Sequence, residues 1–224
     1  MVKLTLNALD RDLKLLAEKV EEMGSIAVQK VTISIDAVFK NDREFANSTI
    51  TIDKQLDVLY RQIQEDAFLV IARRQPISVN LREILGAIRI SGDLERIGYL
   101  ANNIAQRVKT LSDEQRLPIE MNEFRRQANF STLQIKDALD AYVRRDEQRA
   151  EAVWLRRIQV SEGSDLVENK LISVMIENPR RITPAKQFLF ISKNLEYISD
   201  KAVNIAKAVH YMVTDEVLPF DQEN

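Results

Sequence analysis

Ile191-Ser192-Lys193-Asn194-Leu195-Glu196-Tyr197-Ile198-Ser199-Asp200-Lys201-Ala202-Val203-Asn204-Ile205-Ala206 repeats a pattern already present 101 residues earlier. The earlier copy reads Ile90-Ser91-Gly92-Asp93-Leu94-Glu95-Arg96-Ile97-Gly98-Tyr99-Leu100-Ala101-Asn102-Asn103-Ile104-Ala105. Ile, Ser, Leu, Glu, Ile, Ala, Asn, Ile and Ala coincide without a gap. Each copy follows a break marked by proline, Pro76 or Pro179, and each runs on into a further valine, Val108 or Val209. Self-similarity at this separation points to two copies of one structural unit, each about half of the chain.

The composition fits two helical units. The chain has 224 residues, 45% of them hydrophobic and 29% charged, so it can bury real cores and still cover them with polar surface. Five Gly and five Pro leave little turn chemistry for a β-rich architecture. The formal charge of −2 has no large block of either sign, so no nucleic-acid footprint is expected. The absence of Cys removes disulfides, thiolate zinc sites and Cys nucleophiles together, and fits a reducing compartment. Met1 to Leu16 is amphipathic and carries Asp10, Arg11, Asp12 and Lys14, without the apolar stretch of a signal peptide. No window approaches the roughly 18 apolar residues of a membrane span. The expected location is the cytoplasm.

Along the chain, Leu6, Leu9, Leu13, Leu16, Val20, Met23, Ala27, Val31 and Ser34 recur at spacings of three and four, predicting one long amphipathic helix from about Leu4 to Phe39. After a break at Asn41-Asp42, a second helix carries Ile50, Ile52, Leu56, Leu59, Tyr60, Ile63, Ala67 and Val70, and Gln75-Pro76 ends it. Asn80 and Glu83 form a candidate capping box for a third helix that runs to about Thr110. Between Lys109 and Asn122 the chain turns polar, with Ser112, Asp113 and Pro118, and loses its periodicity. The plan then repeats: helices from about Met121 to Arg144 and Gln148 to Glu177, and a last one opened by Thr183-Pro184 and running to about Val213.

Three long antiparallel helices, each apolar on one stripe, bury those stripes by forming a bundle. The expected fold is therefore all-α: six long helices in two tandem, pseudo-repeated antiparallel three-helix bundles. The first unit spans residues 1–112, the second 119–214, and 215–224 form a loose tail.

Each helical residue turns about 100°. With Glu95 at zero, Tyr99 falls near 40° and Asn103 near 80°, while Leu94, Ile97, Ala101, Ile104 and Val108 cluster between about 180° and 260°. The same arithmetic groups Glu196, Asp200 and Asn204 opposite Leu195, Ile198, Ala202, Ile205 and Val209. The repeated polar residues therefore face away from the core. On the preceding helices Asp53, Asp57 and Arg61 line an outer stripe, and Asp165 aligns with Asp57 when the two segments are superposed. These acids can approach the Glu of the neighbouring helix and make an oxygen-rich groove on the outside of the bundle.

An outward acid is ordinarily solvated surface, and Asp57 with Arg61 is an ordinary helical pair. Glu196 with Asp200 is different, because like charges at that spacing repel by a few tenths of a kcal/mol, relieved in part by Lys193. Stability alone does not explain keeping them together.

Leu94-Glu95-Arg96-Ile97-Gly98 with Ala101 and Asn103-Ile104-Ala105, and Leu195-Glu196-Tyr197-Ile198-Ser199-Asp200 with Asn204-Ile205-Ala206, resemble the paired signatures of the PhoU family of phosphate-transport regulators. Met23-Gly24, Asp53, Asp57, Gln75-Pro76, Asn178-Pro179 and the closing Ala208-Val209-His210-Tyr211-Met212-Val213 extend the resemblance over nearly the whole chain. It implies a cytosolic protein, not an enzyme, that restrains phosphate uptake and phosphate-starvation signalling. It also implies two partners, the ATPase of a phosphate ABC transporter and a sensor histidine kinase, with the membrane reached only through them, and association as a homodimer.

The resemblance implies no required cofactor, but it does imply surface sites for Mg²⁺, Mn²⁺, Ca²⁺ or iron built on hard oxygen ligands. The residues carried over are Glu95 and Asn103 in unit one and Glu196, Asp200 and Asn204 in unit two, with Asp57 and Asp165 from the neighbouring helices. Tyr99 stands where the first motif should end in Asp, and Leu100 and Lys201 stand where a histidine often follows. Unit two is therefore expected to be the stronger site.

Two rival readings remain. A carboxylate-bridged di-iron enzyme needs two ExxH pairs facing the core, and the chain has one histidine, His210. There is no Gly-rich phosphate loop, Ser/His/Asp set or Rossmann signature either. His210 is read as a partner of its helix C-terminus. The other rival is a generic helical scaffold without metal or phosphate link. Phe130, Tyr142 and Trp154 are expected in the core, and Arg156-Arg157 and Arg180-Arg181 in solvent.

Overall fold

The computed structural model describes residues 2–40, 42–111 and 122–219, with the side chains of 2–7 and 43–53 left aside. Its helices are α1 (Val2–Lys40), α2 (Arg43–Arg74), α3 (Ser78–Thr110), α4 (Asn122–Arg144), α5 (Glu147–Leu155), α6 (Arg157–Glu177) and α7 (Ile182–Thr214). A single 3₁₀ turn, Pro179–Arg181, precedes α7, and there is no strand among the described residues. Because α5 and α6 are two halves of one rod, the architecture is six rods, three plus three, as the periodicity predicts. None of the described helices is long and apolar enough to cross a membrane.

The rods form because their apolar residues keep helical spacing. Leu16, Val20, Met23, Ala27 and Val31 of α1, Leu56, Ile63 and Ala67 of α2, and Ile84, Ile90, Leu94, Ile97, Ala101 and Ile104 of α3 are buried together. In unit two Ala128, Ile135 and Ala138 of α4, Val153 of α5, and Ile191, Leu195, Ile198, Ala202 and Ile205 of α7 do the same. Each fully buried Leu or Ile contributes about 1.5–3 kcal/mol.

The two bundles share one continuous core. Their seam is α3 packed on α7, with α1 on α4. The α3–α7 pair runs antiparallel: a Cβ at Gly86 would lie 3.3 Å from Met212 Sδ, Asp93 meets Lys201 at 3.3 Å, and Arg107 Nη1 reaches Gln187 Oε1 at 3.5 Å. α1 and α4 approach closely at Gly24, where a Cβ would stand 2.6 Å from a Leu139 methyl.

The serines of the two motifs are structural. Ser91 accepts a hydrogen bond from Gln64 of α2 at 3.1 Å. Ser192 donates to Gln127 of α4 at 2.8 Å, and Gln127 donates to Ser164 of α6 at 2.8 Å. Ser199 donates to Ser131 at 2.9 Å. Buried hydroxyls and amides are satisfied in this way or cost the fold heavily, so these pairs fix which helix neighbours which.

Several local expectations are corrected. The Asn80–Glu83 capping box does not form: α3 starts at Ser78 behind Ile77, with no side-chain cap, and Glu83 instead meets Arg145 at 2.8 Å. Thr183 does not cap α7, which begins at Ile182 behind Arg181; Pro184 sits in the first turn, where its missing N–H costs nothing. Asn178 caps the 3₁₀ turn by accepting from Arg180 N at 3.1 Å.

The fifth rod breaks at Arg156. The Arg156 Nε donates to the Ala152 carbonyl at 3.2 Å and Arg157 Nη1 to Trp154 O at 3.3 Å, and guanidinium groups drawn to helix carbonyls bend the rod there. Arg156 is also tied to Asp137, and Arg157 stacks over Trp154 at 4.2 Å, so neither is simply solvated. Of the three aromatics expected in the core only Tyr142 is buried; Phe130 and Trp154 are half-buried.

The expected boundary at residues 113–118 lies outside the described residues. The tail begins as the rods end, at Asp215, but its first residues fold back. His210 Nδ1 lies 3.1 Å from the Glu216 carbonyl and Leu218 is buried.

Candidate functional site

The outer face of α7 carries the second motif. Glu196 is half-buried, Asp200 is exposed one turn on, and Asn204 is half-buried one turn further. With Glu162, Arg157 and Lys207 they line one groove of about 680 Å³ between the start of α6 and α7. The α6 acid facing this groove is Glu162. Asp165, the expected neighbour, is exposed and does not line it.

Glu196 Oε2 is 3.1 Å from Lys193 Nζ, and the same ammonium is 3.0 Å from Glu168 Oε2 on α6. The bonds to Glu168 and then Glu196 push the Lys193 pKa above the ordinary lysine range. Lys193 thus clamps α6 to α7 and neutralises one acid of the motif.

Asn204 and Lys201 turn toward the seam. Lys201 Nζ lies 3.3 Å from the carboxylate of Asp93 on α3, and the Asn204 side chain also favours its charged form. Burial raises the Asp93 pKa, outweighing Lys201, Asn204 and Arg89, which all act to lower it. Asp93 therefore belongs to the site although the motif comparison passed over it. The signal was its mismatch with Asn194 in the other copy.

In unit one Glu95 and Asn103 are half-buried on the outer face of α3, and Asp57 is exposed on α2. Asp57 and Arg61 form no ion pair among the described residues, and the Asp53 side chain lies outside them. Tyr99, 48% exposed, lies under the Arg96 guanidinium, 4.6 Å from its ring centroid. Behind this face Gly98 permits a close approach: a Cβ there would meet Leu56 Cδ1 at 2.5 Å and Lys30 Nζ at 3.8 Å. Lys30 is fully buried. A buried ammonium behind the first motif was not legible from helical spacing, which simply passes over it.

As arranged, the donor set does not fit a preformed metal centre. No three His, Asp or Glu side chains among the described residues converge to hold an ion. In unit two an ammonium already sits on Glu196.

The PhoU domain description of its family model matches the chain twice, over residues 20–108 and 124–209. The chain belongs to the PhoU family. A "Phosphate-specific transport system accessory protein PhoU homolog" of Rhizobium meliloti (strain 1021) is 38% identical over 93% of this chain and 88% of its own length. The protein so named in Caulobacter vibrioides (strain NA1000 / CB15N) is 36% identical over 97% of this chain and 95% of its own. The crystal structure of PhoU from Pseudomonas aeruginosa superposes with a TM-score of 0.89 at 29% identity, covering 92% of this chain and 99% of that one. PhoU from Streptococcus pneumoniae, at 22% identity over 95% of this chain and 100% of its own, shares the fold with a TM-score of 0.87. In PhoU terms, the motif's Ser and Ile positions build the bundles, and its Glu, Asp and Asn positions face outward or toward the seam.

Proposed function

We propose that this chain is a non-catalytic accessory protein of a phosphate transport system that restrains phosphate uptake and phosphate-starvation signalling. It acts in the cytoplasm as a homodimer, contacts the ATPase of a phosphate ABC transporter and a sensor histidine kinase, and meets the membrane only through them. The observation that carries this reading is the position of the repeated polar residues. Glu95, Asn103, Glu196, Asp200 and Asn204 all stand outside the apolar core, so packing does not account for their repetition. The names of the relatives supply the phosphate transport system. Two outer faces of different character on one shared core suit a protein that serves two partners.

Co-isolation with the tagged chain tests this. The wild type should retain a transporter ATPase and a histidine kinase, and a folded variant with Glu196→Ala and Asp200→Ala should lose at least one. A partner set lacking both would refute the reading and favour a generic helical scaffold.

Binding of Mg²⁺, Mn²⁺, Ca²⁺ or iron belongs to the same proposal in unit two alone. Glu196, Asp200 and Asn204, with Glu162 across the groove, supply hard oxygen donors, and Lys193 must leave Glu196 for a cation to enter. Glu95, Asn103 and Asp57 of unit one, and Asp165, are weaker candidates on this geometry. Metal analysis of the wild type against the double alanine variant decides it; equal content defeats the assignment.

A further inference from the structure

One cavity lies apart from the motif faces, at an end of the seam. It occupies about 530 Å³ between α1, the first turns of α3, the end of α4 and the end of α7, so both bundles wall it. That volume falls within the range of organic-ligand sites, about 300–1,000 Å³. Leu13, Leu16 and Met212 give it an apolar floor.

The rim is acidic. Asp10, Glu18, Glu21 and Glu83 face only Lys14 and Arg145. Arg145 is committed to Glu83 at 2.8 Å and Lys14 to Glu18 at 3.8 Å. Arg145 reaches across the seam from a left-handed backbone, φ 53°, at the end of α4. Asp10 and Glu21 have no cation partner among the described residues. Eleven residues apart on one helix, they lie on the same stripe, about 16 Å from each other along the axis.

Tyr142 is an independent sign of a ligand. It is 7% exposed and lines the cavity, yet its hydroxyl has no hydrogen-bond partner among the described residues. Burial raises its pKa, with Glu83 and Glu21 adding to the rise and Arg145 opposing it, so the phenol stays protonated and its oxygen sits among the cavity's own charges. A hydroxyl that opens to the cavity from an otherwise buried side chain, beside two acids without a cation, can accept from a donor of N–H bonds.

We propose that this cavity binds a linear aliphatic polyamine, with terminal ammonium groups toward Asp10 and Glu21, an inner nitrogen at the Tyr142 hydroxyl and methylenes on Leu13, Leu16 and Met212. A metal ion would use neither the apolar floor nor acids so far apart. A single lysine side chain would neutralise only one of them. Because α1 and α3 supply one wall and α4 and α7 the other, the bound chain fastens the two bundles together. The proposal stands independently of the transport reading.

Isothermal titration of the full chain with spermidine tests it, with butylamine and Mg²⁺ as controls. The wild type should bind spermidine more tightly than either control. Asp10→Asn with Glu21→Gln, both at exposed positions, should weaken binding by about tenfold or more. Tyr142→Phe should weaken it by about three- to tenfold, the worth of one hydrogen bond. Melting curves of the free variants show whether they are folded. Absence of spermidine binding to the wild type, equal affinity in folded variants, or butylamine or Mg²⁺ binding as tightly as spermidine would overturn the proposal.

Discussion

The seam pair Asp93–Lys201 allows a worked prediction. The Asp93 side chain is 12% exposed and that of Lys201 31%. Burial, the largest influence, holds the Asp93 pKa above its ordinary value of 3.8 although Lys201 and Asn204 pull it down. Lys201→Met removes the cation and leaves a shielded carboxylate with only the Asn204 amide and more distant Arg89. With the exposure of Lys201 allowed for, that should cost about 1–2 kcal/mol, or about 3–6 °C in melting midpoint for a chain of this length. Asp93→Asn removes the charge that burial disfavours and should change stability by less than about 1 kcal/mol, on the favourable side at pH 7. In the Asp93→Asn background the Lys201→Met penalty should shrink below about 0.5 kcal/mol.

The pH dependence has a definite sign. Between 3.8 and the raised folded value the folded chain holds more protons than the unfolded chain, so Asp93's contribution to stability declines as pH rises through that window. The Lys201→Met penalty is therefore full near neutrality and fades as the pH falls and Asp93 takes up its proton. Urea unfolding of the four proteins between about pH 3.5 and 8, a range that runs from the ordinary carboxylate values to neutrality, measures both effects. A Lys201→Met penalty that is the same in both backgrounds, or that grows toward acid pH, would refute the assignment of Asp93 as the seam's acid.

Three further outcomes follow from contacts elsewhere. Gly98→Ala places a methyl 2.5 Å from Leu56 Cδ1 and should cost about 1–2 kcal/mol by denaturant unfolding, with partial recovery when Leu56→Val is added. Gln127→Leu strips partners from Ser164 and Ser192 inside unit two and should cost about 2–4 kcal/mol; a loss below 1 would mean that water enters or the hydroxyls turn back to helix carbonyls. Lys193→Ala, at a clamp about one-third exposed, should cost under about 1 kcal/mol. A much larger loss would show the α6–α7 clamp to be structural rather than a surface available for recognition.

The rods and their apolar faces were legible because helical periodicity is local: Leu94, Ile97, Ala101 and Ile104 fall on one stripe whatever their neighbours. The outward position of Glu95 and Glu196 followed from the same arithmetic. What depended on the register between rods was not legible. Glu162 rather than Asp165 faces the α7 groove because superposing the two units assumes equal rods, whereas α5–α6 is broken at Arg156 by side chains that no proline or glycine announces. Lys30 is buried at a position where helical spacing offers only a long polar side chain, and its ammonium ends beside Gly98 of the neighbouring helix. Caps failed for a related reason: Glu83 could have closed on Asn80, but Arg145, far away in sequence, reaches it first.

The mismatches between the two motifs explain the asymmetry of the molecule. Unit one has Asp93 where unit two has Asn194, and Tyr99 where unit two has Asp200, so each motif keeps two carboxylates at different places. In unit one the second acid has moved to the seam, where it holds Lys201 and Asn204 and joins the bundles. Its outer face is left with Glu95 beside an arginine-covered tyrosine. In unit two the second acid stays on the outer face, exposed beside Glu196. Two like charges one turn apart are mildly unfavourable in isolation, and here they lie together on the wall of the groove between α6 and α7. The duplicated sequence has therefore placed its second acid differently in the two units: Asp93 meets Lys201 at the seam between the bundles, and Asp200 lines the groove between α6 and α7.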